Sequence, residues 1–281
     1  MDYNDLLKSA RENFNGTCKV CKICNGLACA GDVPGMGGKV SEKEYIEPVV
    51  RGCSNSGIYA MVGDTNVDTF LLDNLDVLKD NRGNGIVFIK PWNNSKIIEK
   101  IRLSEEAGAF AVGVDLDACG LINNQFQENP FSPKTIDEIR ELVESTRLPF
   151  IIKGIMTVDD ALMAVESGAS AIIVSNHGGR VLDYTPGTCE VLPDIAKSVK
   201  GKITILVDGG VRTGVDVVKM LGLGADAVLM GRPFVTASFG GGLDGVEFFI
   251  EKVRNELCET MILTGCQNVK DIDGRVIWNL L

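Results

Sequence analysis

From about residue 57 the chain alternates between short, nearly unbroken apolar runs and longer stretches of mixed polarity. The apolar runs predict strands at Ile58–Val62, Gly85–Lys90, Ala109–Asp115, Pro149–Lys153, Ala169–Ser175, Ile203–Asp208 and Ala225–Met230. Their continuous hydrophobicity, without polar alternation, predicts burial on both faces, as in a parallel sheet covered by helices. The stretches between them predict helices over Asn94–Ala107, Ser132–Ser145, Thr157–Ser167, Thr188–Val199 and Gly214–Leu221. Thr157 stands ahead of Asp159 and Asp160 as an N-cap, and Ser132-Pro133 reads as a cap and first turn. Gly108-Ala109, Gly168-Ala169 and Gly224-Ala225 each end a helix in glycine and start a strand at once.

Repeated strand–helix units define an α/β fold, and the polar residues select a (β/α)8 barrel of the TIM type over an open sheet. Lys90, Asp115, Lys153, Ser175 with His177, Asp208, and Gly231 with Arg232 all fall at or just past the C-terminal ends of strands. In a barrel those ends converge on one mouth, whereas an open sheet spreads them along an edge. The runs make seven strands, not eight, and Gly31–Ser41 is too glycine-rich for the first. The barrel is therefore expected to have its first strand missing or replaced. A cysteine-rich segment, residues 1–40, is expected to precede a barrel domain at 41–281.

The 281 residues are 45% apolar, ample for a buried core. The net charge of −10 argues against a nucleic-acid surface. No apolar stretch approaches the ~20 residues of a membrane span, and the N-terminus does not read as a signal peptide, so a cytoplasmic protein is expected. Nine cysteines without an export signal read as reduced thiols.

The one histidine, His177, lies in Ser175-Asn176-His177-Gly178-Gly179-Arg180, directly after a strand. Histidine has the side-chain pKa nearest neutrality, so it is the first choice for proton transfer. Arg180 offers a fork for an anionic substrate. Asp208-Gly209-Gly210-Val211-Arg212 and Gly231-Arg232 follow the last two strands. Glycines there expose backbone N–H groups at a helix start, and the arginines suit a phosphate, which barrels often bind between these two loops.

These residues carry a resemblance. Ser175-Asn176-His177-Gly178-Gly179-Arg180-Val181-Leu182-Asp183, Asp208-Gly209-Gly210-Val211-Arg212-Thr213-Gly214 and Gly231-Arg232-Pro233 resemble the FMN-dependent α-hydroxy acid oxidases and dehydrogenases, of the glycolate oxidase and lactate oxidase type. The likeness is dense from Pro149 to Phe234. It implies an FMN enzyme that oxidises a small L-2-hydroxy acid, as a homo-oligomer. It further implies that His177 is the base and Arg180 the carboxylate clamp. Lys153 would stand beside flavin N1 and O2, and Ser175 would touch the flavin. Asp208 to Arg212 and Gly231-Arg232 would hold the phosphate and ribityl chain. Lys90 stands near the position of a flavin-contacting glutamine. Asp115 matches the carboxylate that orients the histidine, and Asp117 competes for that role. A lysine at N1 would stabilise the reduced anion, and a carboxylate behind the histidine the imidazolium.

The chain also departs from that pattern. The substrate tyrosines have no counterpart, Gly113 stands in place of a flavin-contacting threonine, and no second arginine follows Asp115. Cys18, Cys21, Cys24 and Cys29 could wrap zinc or an iron–sulfur cluster, act as redox thiols, or stay inert. Two other classes stay open: a phosphate-binding barrel isomerase, and a non-catalytic flavin or redox sensor.

Overall fold

The computed structural model describes residues 40–83, 85–121 and 130–278, together with the backbone of a strand at Ile23–Asn25. Eight parallel strands form one sheet: β1 (Ile23–Asn25), β2 (Ala60–Gly63), β3 (Gly85–Ile89), β4 (Ala111–Asp115), β5 (Phe150–Ile155), β6 (Ala171–Val174), β7 (Thr204–Val207) and β8 (Ala227–Met230). From β2 to β8 each strand pairs with the next, and β1 pairs with β8. The edges of β1 and β2 lie near one another, although no ladder joins them among the described residues. The sheet thus curls into the expected barrel, with a seam between β1 and β2.

All seven strands expected from the apolar runs are present, most of them shorter at the start. The place of the first strand is taken by Ile23–Asn25, from inside the cysteine-rich segment. Three residues reading Ile-Cys-Asn carry no apolar run, so periodicity could not mark them. Gly31–Ser41 lies almost wholly outside the described residues, as do Cys18, Cys21 and Cys29.

The helices are α1 (Glu42–Asn55), α2 (Asp68–Asp80), α3 (Asn94–Glu106), α4 (Ile136–Glu144), α5 (Val158–Glu166), α6 (Thr188–Val199), α7 (Gly214–Gly222) and α8 (Arg232–Thr264). Each strand is followed by a helix, and α8 is broken at Gly242 (φ 55°, ψ −137°). Thr157 caps α5 as expected. Ser132 does not cap α4. Thr135 does so instead, accepting the Glu138 N–H while the Glu138 carboxylate accepts the Thr135 N–H. That reciprocal box satisfies two orphan donors where a lone serine satisfies one.

Side-chain parity along the strands separates two cores. On β3, Ile86 and Phe88 join an inner cluster with Ala111, Ile151, Ile173, Leu206 and Leu229, while Val87 and Ile89 pack outward against the helices. The same alternation puts Ile151 inside and Ile152 outside on β5, and Ile173 inside and Val174 outside on β6. The inner cluster plugs the barrel with apolar side chains. Continuing the parity one step toward the C-terminal ends turns Asp115, Lys153 and Ser175 inward, onto the lid of that plug.

Candidate active site at the barrel mouth

Asp115 on β4 and Lys153 on β5 are register partners, so their side chains leave neighbouring strands at one level. Lys153 Nζ donates to Asp115 Oδ1 at 2.8 Å, and Lys90 Nζ, from just past β3, donates to Asp115 Oδ2 at 2.7 Å. Both oxygens of Asp115 are therefore engaged by ammonium groups. Burial alone would raise the Asp115 pKa, but Lys153, then Lys90, then His177 outweigh it and hold the carboxyl well below the usual range. Burial would likewise lower Lys153, yet Asp115, Asp117 and Asp208 hold its ammonium above the ordinary lysine value.

Lys90 is itself placed by a group that the apolar-run pattern did not single out. Asp64, just past β2 and buried, accepts the Lys90 backbone N–H at 3.2 Å and the Trp92 Nε1–H at 2.7 Å. Its other oxygen accepts from Lys100 Nζ at 3.0 Å. The signal available was the one that marked Lys90 and Asp115: a charged residue directly after an apolar run.

His177 is 7% exposed and sits in the loop after β6 with φ +57°, a left-handed backbone unusual for a residue with a side chain. Its N–H donates to Ser175 Oγ at 3.2 Å, which pins the turn. Ring atom Nδ1 lies 2.8 Å from Asp117 Oδ1 and 3.5 Å from Asp115 Oδ1. Asp117 belongs to a 3-10 turn, Leu116–Gly120, that follows β4. The resemblance puts Asp115 behind the histidine; the hydrogen-bond distance is to Asp117. Burial and then, after the opposing pull of Lys153, the neighbouring Asp115 raise the Asp117 pKa above its ordinary value.

Arg180 is exposed, and its Nε donates to the His177 carbonyl at 3.0 Å. Arg212 donates to the Val211 carbonyl at 2.8 Å. Arg232 stands at the first turn of α8 behind Gly231. None of these three guanidinium groups has a carboxylate partner among the described residues. Gly209 and Gly210 both have positive φ (+97° and +78°), and a Cβ on Gly209 would fall 2.7 Å from Thr188 Oγ1, so this loop tolerates no side chain there. Thr188 also donates to the Asp208 carbonyl, a link with no sequence signal.

Asp115, Asp117 and His177 offer ligand atoms within 4.8 Å of one another. Lys90 and Lys153 already hold both oxygens of Asp115, so the cluster is an ion-pair network in its chemistry and not a cation cage.

The sequence matches the FMN-dependent dehydrogenase family over residues 39–279. Eight strand–helix units with an imidazole, a buried lysine and guanidinium groups at the C-terminal mouth place the protein among the α/β barrels with a charged site at that mouth, and the match over residues 39–279 shows that the chain belongs to the FMN-dependent dehydrogenase family. It is 51% identical over 142 residues to a peroxisomal (S)-2-hydroxyacid oxidase of Arabidopsis thaliana, covering 50% of this chain and 38% of that one. It is 42% identical over 185 residues to a 2-hydroxyacid oxidase of Dictyostelium discoideum, covering 66% of this chain and 44% of that one. The matched segment thus spans less than half the length of either relative. Among solved structures, mandelate oxidase with benzoyl-formic acid superposes with a TM-score of 0.69 at 32% identity, over 81% of this chain and 70% of that one. A second mandelate oxidase complex, with 3,3-difluoro-2-hydroxy-3-phenylpropionic acid, reaches 0.72 at 26% identity over 95% and 96% of the two chains.

FMN is the cofactor of this family, and the residues here fit it. The Arg212 and Arg232 guanidinium groups, which have no carboxylate partner among the described residues, and the Gly209-Gly210 turn offer donors for a phosphate. Asp208 Oδ1 is buried without a hydrogen-bond partner, an acceptor that a ribityl hydroxyl would satisfy. Lys153 supplies a buried positive charge for a ring that becomes anionic on reduction. No helix among the described residues is long and apolar enough to cross a membrane.

Proposed function

We propose that the protein oxidises a small L-2-hydroxy acid of the lactate or glycolate type to the 2-oxo acid. The observation that carries this reading is the engagement of buried His177 by a carboxylate at 2.8 Å in the same mouth as Lys153. An imidazole whose Nδ1–H is held by an ionised carboxylate presents Nε2 as the proton acceptor. In this reading His177 takes a proton from the substrate as C2 is oxidised, and the carboxylate stabilises the imidazolium that forms. Arg180 binds the substrate carboxylate and fixes the face presented for reaction. Bound FMN supplies the two-electron acceptor. Lys153 and Lys90 offset the negative charge of Asp115 and Asp117 beside the histidine. Asp208, Gly209, Gly210, Val211, Arg212, Gly231 and Arg232 hold the phosphate and ribityl end, and Ser175 fixes the histidine turn.

The named relatives are oxidases, which favours this reading over a barrel isomerase or a non-catalytic sensor. A cytoplasmic setting and a homo-oligomer belong to the same proposal, resting on the reduced cysteines and the resemblance. The visible spectrum of the purified protein, recorded anaerobically before and after L-lactate or glycolate, tests it. Bleaching of the flavin bands is expected; a yellow protein inert to every 2-hydroxy acid would overturn the reading.

A further inference from the structure

We propose that Asp117, and not Asp115, is the carboxylate that positions His177 for proton abstraction. The inference takes its purpose from the 2-hydroxy acid reading, but it stands on geometry of its own. At 2.8 Å the Nδ1···Asp117 contact is a hydrogen bond; at 3.5 Å the Nδ1···Asp115 contact is at the edge of one. Asp115 has its two oxygens committed to Lys153 at 2.8 Å and Lys90 at 2.7 Å. Asp117 has a weaker hold on ammonium, with Lys153 at 3.7 Å, and its Oδ2 is buried without a partner. Of the two carboxylates, Asp117 is the one less engaged by ammonium groups and nearer to the imidazole.

The backbone is shaped to admit it. The ladder between β5 and β6 shifts register between Lys153 and Ile155, leaving Gly154 as a bulge with φ +103°. A Cβ on Gly154 would lie 2.7 Å from Asp117 Cβ and 2.9 Å from its Cγ. Any side chain at 154 would push the Leu116–Gly120 turn away from the histidine. Bulges beside active sites commonly re-aim a side chain in this way.

The result is a division of labour between two carboxylates two residues apart. Asp115 sits between two ammonium groups and sets the charge of the mouth. Asp117 holds the Nδ1 proton and with it the ring orientation, leaving Nε2 free to accept. Asp117 acts through His177, so it is a positioning residue.

The lone histidine makes this testable without substrate. In the full-length protein, the exchange-protected imidazole Nδ1–H resonance observed by proton–nitrogen NMR has one source, His177. The resonance is expected to vanish in Asp117→Ala. It should move upfield in Asp117→Asn, where a neutral amide oxygen is the weaker acceptor, and it should persist in Asp115→Asn. With a hydroxy acid that reduces the flavin, Asp117→Asn should lower kcat roughly 100-fold with KM nearly unchanged, and Asp117→Glu should recover part of it. A resonance that is unmoved in both folded Asp117 variants, or lost in Asp115→Asn, overturns the assignment. Failure of every hydroxy acid to reduce the flavin while the resonance behaves as expected would overturn the proposed substrate class instead.

Discussion

A guanidinium nitrogen of Arg232, from the loop after β8, lies 3.8 Å from where a Cβ on Gly178 would stand, in the loop after β6. Two loops separated by a whole strand therefore meet on one rim. The histidine turn and the Gly231-Arg232 turn are thus neighbours, as a single flavin spanning the proposed base and the proposed phosphate site would require. Thr188 ties the third loop in, through the Asp208 carbonyl after β7.

The rim arginines give the first expectation. Arg232→Ala and Arg212→Ala should each weaken FMN binding about tenfold, the loss of a charge-assisted hydrogen bond to phosphate. Fluorescence titration of apoprotein with FMN at two salt concentrations would show it. The variants should also have a flatter salt dependence than the parent, because one screened attraction is gone. Unchanged affinity in both would place the phosphate elsewhere.

His177→Ala should leave FMN bound and slow its reduction by substrate roughly 100- to 10,000-fold, the range that a positioned general base contributes. Anaerobic stopped-flow absorbance reads both properties in one experiment. Reduction at the parent's rate would remove the base from position 177.

Arg180→Lys keeps the charge and loses the planar fork. Substrate KM should rise about tenfold to a hundredfold, equivalent to a charge-assisted hydrogen bond of roughly 1.5–3 kcal/mol. Steady-state kinetics identical to the parent's would reject the clamp.

The two aspartates should move acid stability in opposite directions. Asp115 has a depressed pKa, so its stabilising contribution is full above the ordinary value of 3.8 and is lost as pH falls through its folded value. Asp117 has a raised pKa, so its ionisation costs stability as pH climbs above 3.8. Below about pH 4, Asp115→Asn should flatten the rise of Tm with pH, and above about pH 4, Asp117→Asn should steepen it. Lys153 contributes at the other end: its raised pKa gives stability that is complete below 10.5 and declines as pH rises through the folded value. Melting curves for the parent and the two asparagine variants would check the acid limb. An identical slope in all three would contradict both signs.

Most of the barrel was legible because a strand buried on both faces must be apolar throughout, and such runs stand out between charged helices. The candidate site residues that the sequence could mark were those next to these runs: Lys90, Asp115, Lys153, Ser175, His177, Asp208, Gly231 and Arg232. Helices α1, α2 and α8 escaped for separate reasons. Helix α1 has a Ser41/Glu44 capping box and apolar positions at helical spacing (Tyr45, Ile46, Val49, Val50 and Cys53), but Pro48 interrupts the pattern as a helix breaker would. Helix α2 has Val67 at its N-cap and so no side-chain cap. Helix α8 runs through Gly240, Gly241 and Gly242, which read as a loop.

Local chemistry therefore sufficed for seven of the eight described strands and five of the eight described α-helices, for the direction of the sheet and for the charged groups that flank those strands, since each depends on residues close together along the chain. Which carboxylate holds His177, which strand closes onto β8 and which loop reaches Gly178 did not follow from it. Those outcomes turn on ångström differences between residues about 60 and 200 positions apart. The bulge at Gly154 and the pairing of Asp115 with two lysines arise only when separate strands pack side by side, and that packing is what leaves Asp117, two residues further on, for the histidine.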